Sequence, residues 1–88
     1  MATKAARKQL RYTVIFEPAE EGGYIVRVPA LEGCVTQGDT LQEARDMAKD
    51  AIEGYLAVLQ EEGLPIPEDI ETKPVYEKVT VHVRAVTA

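Results

Sequence analysis

The 88-residue sequence predicts an α+β fold in which one long helix lies on one face of an antiparallel sheet, in the order β-β-β-α-β. Three observations carry this expectation. Apolar residues alternate through LRYTVIFE (10–17), YIVRV (24–28) and YEKVTVHVRAV (76–86), the period of half-buried strands. They recur at helical spacing from Leu41 to Leu59. Between the first two strands lies only PAEEGG, a loop short and polar enough to make them a hairpin.

Each element has a local reason. In the first strand Leu10, Tyr12, Val14 and Phe16 share one face, and Arg11, Thr13 and Glu17 the other. Pro18 and the Gly22-Gly23 pair then punctuate the turn. Tyr24, Val26 and Val28 share a face of the second strand, which ends at Pro29 because proline has no amide hydrogen for the ladder. After Leu31, Glu32 and Gly33, the run CVTQG (34–38) is β-prone enough for a third strand. Thr40 and Glu43 form a capping box at the start of the helix. Its apolar stripe is Leu41, Ala44, Ala48, Ala51, Ile52, Tyr55 and Leu59, with Leu56 on the margin, and Gly63 stops it. Gly54 flanks that stripe, where its lower helix propensity is expected to be offset by a close contact with the sheet or a second subunit. The linker LPIPEDIETKP (64–74) is too rich in proline and acid for regular structure, with Ile66 and Ile70 as its anchors. In the last strand Val79, Val81 and Val83 point inward, and Lys78, Thr80, His82 and Arg84 outward.

A chain this short holds one domain, taken as residues 10–88 behind a basic arm at 1–9. It buries only about 60 to 65 per cent of its unfolded surface, so self-association as a homodimer or tetramer is expected to help it. No apolar run reaches the length of a membrane span and MATKAARKQ lacks a secretory apolar stretch, so the expected compartment is the cytoplasm. A single cysteine fits a reducing environment. The net charge of −5 is unevenly spread. Lys4, Arg7, Lys8 and Arg11 precede a remainder with six bases and fifteen acids, and such an acidic body repels phosphate and attracts basic proteins.

Most familiar chemistries are excluded by residue inventory. A Cys34 nucleophile needs a base within hydrogen-bond reach, yet the only histidine, His82, sits on another strand and faces outward, so Cys34 reads as a buried, inert thiol. One Cys and one His do not make a zinc site, and no calcium loop spacing occurs, so neither metal nor cofactor is expected. EGCVTQGDT matches no phosphate loop, and Thr40 and Glu43 occupy the helix amides an anion would use. Glu43, Asp46, Asp50 and Glu53 line the helix face opposite the apolar stripe, interrupted by Lys49, which is spaced to reach Asp46 and Glu53. That face reads first as solvated and next as a contact for a basic protein.

Residues 12 to 67 resemble the HicB antitoxin family through a combined pattern. Its parts are the first strand leading to Glu21-Gly22-Gly23-Tyr24, then Val28-Pro29, Leu31, Gly33-Cys34 and Thr36, then Gly38-Asp39-Thr40, then Glu43-Ala44 and Ala51-Ile52, and finally Gly63 with Ile66-Pro67. The resemblance implies a partial ribonuclease H-like fold of the same element order. It also implies a partner, a small basic mRNA-cleaving ribonuclease toxin of the HicA type, which such a protein binds and inhibits. The catalytic carboxylates of ribonuclease H fail to carry over at two of three positions, because residues 10–16 and 78–86 lack the acids that would bridge two metal ions, so no catalytic residue is expected. Many HicB proteins continue into a helix-turn-helix or ribbon-helix-helix segment. This sequence ends at Ala88 just after its last strand, so operator binding is not expected of it. The residues expected to touch the partner are the sheet rim and following loop, Glu21, Tyr24, Pro29, Leu31 and Glu32, and then the helix acids Glu43, Asp46 and Asp50. The rival readings are a degenerate metal-dependent nucleic acid hydrolase of ribonuclease H-like fold and an orphan ligand- or protein-binding module.

Overall fold

The computed structural model describes residues 8–85. Most of the basic arm lies outside them, as does Val86 of the expected last strand. Three strands, β1 (Ile15–Pro18), β2 (Tyr24–Arg27) and β3 (Val35–Gly38), precede one helix, α1 (Leu41–Glu61). The sheet order is β1-β2-β3, antiparallel throughout, with Phe16 opposite Val26 and Val26 opposite Thr36. This is the expected α+β arrangement of a sheet with one helix on it. The first strand is shorter than its alternation suggests, since residues 10–14 have no ladder partner.

Helix α1 begins and ends where its caps dictate. The Thr40 hydroxyl accepts the Glu43 amide at 3.0 Å, and the Glu43 carboxylate reaches back to the Asp39 amide at 3.1 Å. At the other end Leu64 N donates to Leu59 O at 2.8 Å and Gly63 N to Gln60 O at 3.1 Å, the paired bonds of a Schellman turn around a left-handed Gly63.

The helix is seated by a backbone contact. A Cβ on Gly38 would stand 2.5 Å from the Ala44 amide nitrogen and 2.7 Å from its Cα, so only glycine lets β3 pass under the first turn of α1. Ala44 and Ala48, both buried, then meet Val26, with Val14, Phe16 and Tyr24 packed around them. A second cluster of Val28, Leu31 and Cys34 is closed by Tyr12, Val14, Ala51, Ile52, Tyr55 and Leu56. Val14 belongs to both clusters, so the two form one continuous core under the helix. The close approach to the sheet expected at Gly54 belongs to Gly38 instead: within the chain a Cβ at Gly54 meets nothing within 4 Å.

The expected fourth strand is not formed within the chain. Residues 64–85 carry neither helix nor strand, and Val75, Tyr76, Val79, Val81 and Val83 are 72 to 90% exposed. Alternation gives a segment the side chains of a strand, but only a neighbour's amides and carbonyls make it one. Here the linker at 64–74, the hinge of the molecule, carries the segment away from the body. The radius of gyration is 19.4 Å, against about 12 Å for a compact chain of this length, and the long axis is 84 Å. The opposite face of the sheet is likewise open, with Ile15, Ile25 and Val35 set among Gln37 and an exposed Arg27–Glu17 ion pair of 2.7 Å. Such a pair contributes about 0.2 to 1 kcal/mol.

The two glycines should respond in opposite directions. Gly38→Ala should cost about 1 to 3 kcal/mol by forcing α1 off β3, whereas Gly54→Ala should add about 0.5 to 1 kcal/mol by restricting the unfolded chain in an exposed helical position. Urea denaturation of the two variants beside the parent protein measures both.

Candidate functional site

The turn after β1 places acids at one end of the sheet. Ala19 N bonds to Gly23 O and Gly22 N to Ala19 O, both at 3.0 Å, which holds Glu20 and Glu21 at the exposed tip. A shallow depression of about 420 Å³ there is lined by Glu20, Glu21, Tyr24, Ile25, Gln37 and Asp39. Asp39 leads into the capping box, so Glu43 stands at the same end. From Glu43 the acids Asp46, Asp50 and Glu53 run along the outer face of α1, all exposed. Among the described residues no ion pair joins Lys49 to Asp46 or Glu53; Asp46 accepts instead from the Gln42 amide at 3.2 Å. The acids on this face are therefore largely uncompensated, which suits a positively charged partner.

The residues expected to contact a partner do not form one patch. Glu21, Tyr24 and Glu43 gather at the hairpin end, although Tyr24 is half-buried and packs toward Ala44. Asp46 and Asp50 extend that surface along the helix. Pro29, Leu31 and Glu32 lie at the other end of β2, in a loop folded on itself by bonds from Leu31 N to Val28 O and Cys34 N to Leu31 O, each 3.0 Å. Leu31 is 1% exposed, a core plug with no surface to offer, and the Glu32 carbonyl is taken by the Tyr55 hydroxyl at 2.9 Å. Glu20 and Asp39 were missed by sequence reasoning, although the strings PAEEGG and GDT carry them. Their nearness to Glu43 follows from the pairing of Tyr24 with Gly38, which a linear pattern does not display.

No chemistry gathers around Cys34. The thiol is buried with Val28 and Leu31, burial pushes its pKa up, and His82 lies in the exposed C-terminal segment. Among the described residues no group of three or more His, Cys, Asp or Glu side chains is placed to hold a metal ion. No described helix is long and apolar enough to cross a membrane.

A third feature concerns the linker. The Asp69 carboxylate accepts the Thr13 amide at 2.8 Å and the Thr13 hydroxyl at 2.7 Å, and the Tyr12 hydroxyl donates to Pro67 O at 2.6 Å. Residues 66–69 are thus fastened beside the start of β1. The two bonds from Thr13 hold the Asp69 carboxyl below its ordinary pKa, while burial and then the Asp69 charge push Tyr12 upward.

The described residues thus form a small α+β domain with an open sheet edge and an acidic outer face. Residues 12–87 match the family described as the HicB-like antitoxin of bacterial toxin–antitoxin systems, and the chain belongs to that family. A UPF0150 protein of Thermoplasma acidophilum is 44% identical over 73 residues, covering 83% of this chain and 99% of its own length. Another UPF0150 protein, from Synechocystis, is 41% identical over 73 residues, covering 82% of this chain and 92% of its own. The antitoxin HicB 1 of Photorhabdus laumondii is 53% identical over 45 residues, which are 51% of this chain and only 29% of that protein. This chain therefore aligns with short relatives over nearly their whole length and with less than a third of the longer antitoxin.

Because its pKa is lowered in the folded protein, Asp69 contributes its hold on Thr13 at neutral pH and above the ordinary carboxylate range, and loses it as pH falls through the lowered value. The Thr13 amide resonance should follow that acid titration in the parent protein and should not in Asp69→Asn, as NMR spectra recorded across the acid range would show.

Proposed function

We propose that this protein is the antitoxin of a toxin–antitoxin pair, and that it binds and inhibits a small, basic, mRNA-cleaving ribonuclease of the HicA type. The family match over residues 12–87 is the observation that carries the reading. The role is non-catalytic, exerted by covering the toxin, and the working form is a homodimer or tetramer.

The acidic hairpin end and helix back are the contact surface that charge favours. Glu20, Glu21 and Asp39 with Asp46 and Asp50 meet the toxin's basic surface, with Tyr24 at the border of the patch. Pro29 and Glu32, at the far end of β2, form a second, smaller rim. Leu31 acts only by keeping that loop in shape. Complementary charge at such a surface sets encounter rate and selectivity more than final affinity.

Co-expression with the basic protein encoded beside it should yield a complex in which RNA cleavage is suppressed. Asp46→Lys combined with Asp50→Lys should slow association about tenfold or more at low salt and leave the far-ultraviolet circular dichroism unchanged. A neighbouring product that is not a basic ribonuclease, or a toxin that the protein does not inhibit, would overturn the function. Inhibition that ignores the charge reversals would overturn the surface alone.

A further inference from the structure

Two halves of a strand pairing are present in this chain and lie apart. One half is the outer edge of β1. Because the sheet order is β1-β2-β3, no strand among the described residues covers that side, and residues 10–14 continue it without a ladder partner. The Thr13 amide is taken by Asp69; along the rest of its length an edge of this kind offers amides and carbonyls to whatever strand arrives. Beside it, between the start of β1 and α1, runs an open groove of about 830 Å³ whose apolar lining is Leu10, Tyr12, Val14, Phe16, Ile52 and Leu56. The groove exists because α1 sits over β3 and β2, leaving this flank of its apolar stripe half-buried.

The other half is the C-terminal segment. Val79, Val81 and Val83 alternate with Thr80 and His82, and each of the three valines is more than 70% exposed. A strand with that pattern needs one apolar surface and one ladder, and the groove and the edge of β1 supply one of each. Laid alongside β1, it would place its valines beneath Ile52 and Leu56, the position a fourth strand of this sheet would take.

We propose that the segment Val75–Arg84 of each chain pairs with the β1 edge of a second copy, so that two copies exchange their last strands and fill each other's groove. The hinge favours a second copy over the chain's own edge. Its near end is fastened beside β1 by Asp69 on Thr13 and by Pro67 on Tyr12. From there Pro74 holds its own φ and keeps Lys73 extended, as Pro65 and Pro67 do for the residues before them. The stiff, extended connection carries the segment clear of the body, which gives the molecule its 84 Å axis. A second copy offers the same edge and groove within that reach, and twofold symmetry lets one interaction be made twice. The exchange also closes the edge of β1, which would otherwise template uncontrolled pairing.

This exchange deepens the self-association proposed above and is tested without any toxin. The full chain should sediment as a dimer or as a tetramer made of two such dimers, and Val79→Asp with Val81→Asp should raise the dissociation constant at least tenfold. Because both valines are exposed, the body should keep its circular dichroism spectrum. In mixed samples of differently isotope-labelled copies, NMR contacts should join the methyls of Val79 and Val81 in one copy to Ile52 and Leu56 in the other. A monomeric full chain would overturn both the self-association and the exchange. An assembly indifferent to the two substitutions, or the same methyl contacts made within one copy, would overturn the exchange alone.

Discussion

The seat of α1 on Gly38 organises the molecule. A helix whose first turn rests on the backbone of β3 cannot also sit centrally over β1, because the sheet is only three strands wide. Ala44 and Ala48 are small enough to let the helix lie close to Val26, and the larger residues Ile52 and Leu56 are left leaning over the flank. The same contact that makes the core dense on one side thus leaves it unfinished on the other. Among the described residues only six hydrophobic ones are buried, two of them alanines, which is little for a free-standing domain. The open groove is the cost of the close approach, and further apolar cover there is the direct way to offset it.

Charge is distributed so that this apolar flank and the acidic surface do not compete. The acids at 43, 46, 50 and 53 lie across the helix from Ala44 and Ala48, and the hairpin tip adds Glu20 and Glu21 at the end where α1 begins. Arg45 and Lys49 border the groove, and of the four acids only Glu53 reaches its rim. A negatively charged partner surface would be repelled from the helix back, and a positively charged one drawn to it. An apolar strand entering the groove would meet Glu53 at its rim and leave Glu43, Asp46 and Asp50 outside it.

How far the sequence announces all this depends on the range of the interaction. The helix was legible because its signals are local: Thr40, Glu43 and Gly63 act within a turn of where they stand, and the structure puts both caps there. Strand faces were legible for the same reason, with Val26 and Val28 inward and Arg27 outward as alternation requires. The glycines were harder. Gly54 and Gly38 look alike in a string of letters, and only the pairing of Tyr24 with Gly38 and the turn into α1 show which one meets another backbone. Leu31 looked like a surface candidate because it sits in a Pro-Gly loop, but three backbone hydrogen bonds spanning Val28 to Cys34 turn its side chain into the core. The segment 76–86 has the alternation of a strand. Alternation cannot say whose edge the strand will meet.

That last distinction decides how self-association and partner binding relate. If dimerisation used the acidic helix back, every dimer would lose surface for a basic partner, and the two events would oppose each other through linkage. Placing self-association at the β1 edge leaves the hairpin end and the helix acids uncovered on both copies. The proposed assembly would then carry two equivalent acidic faces tied together by exchanged strands, and a partner engaged at one face would leave the second available. Where two such partners are themselves joined, the second contact becomes intramolecular and the overall hold grows without any new contact type. On the proposed exchange the open edge would bear on function as much as on stability: the apolar flank would be covered by a second copy while the charged face stayed free for another partner.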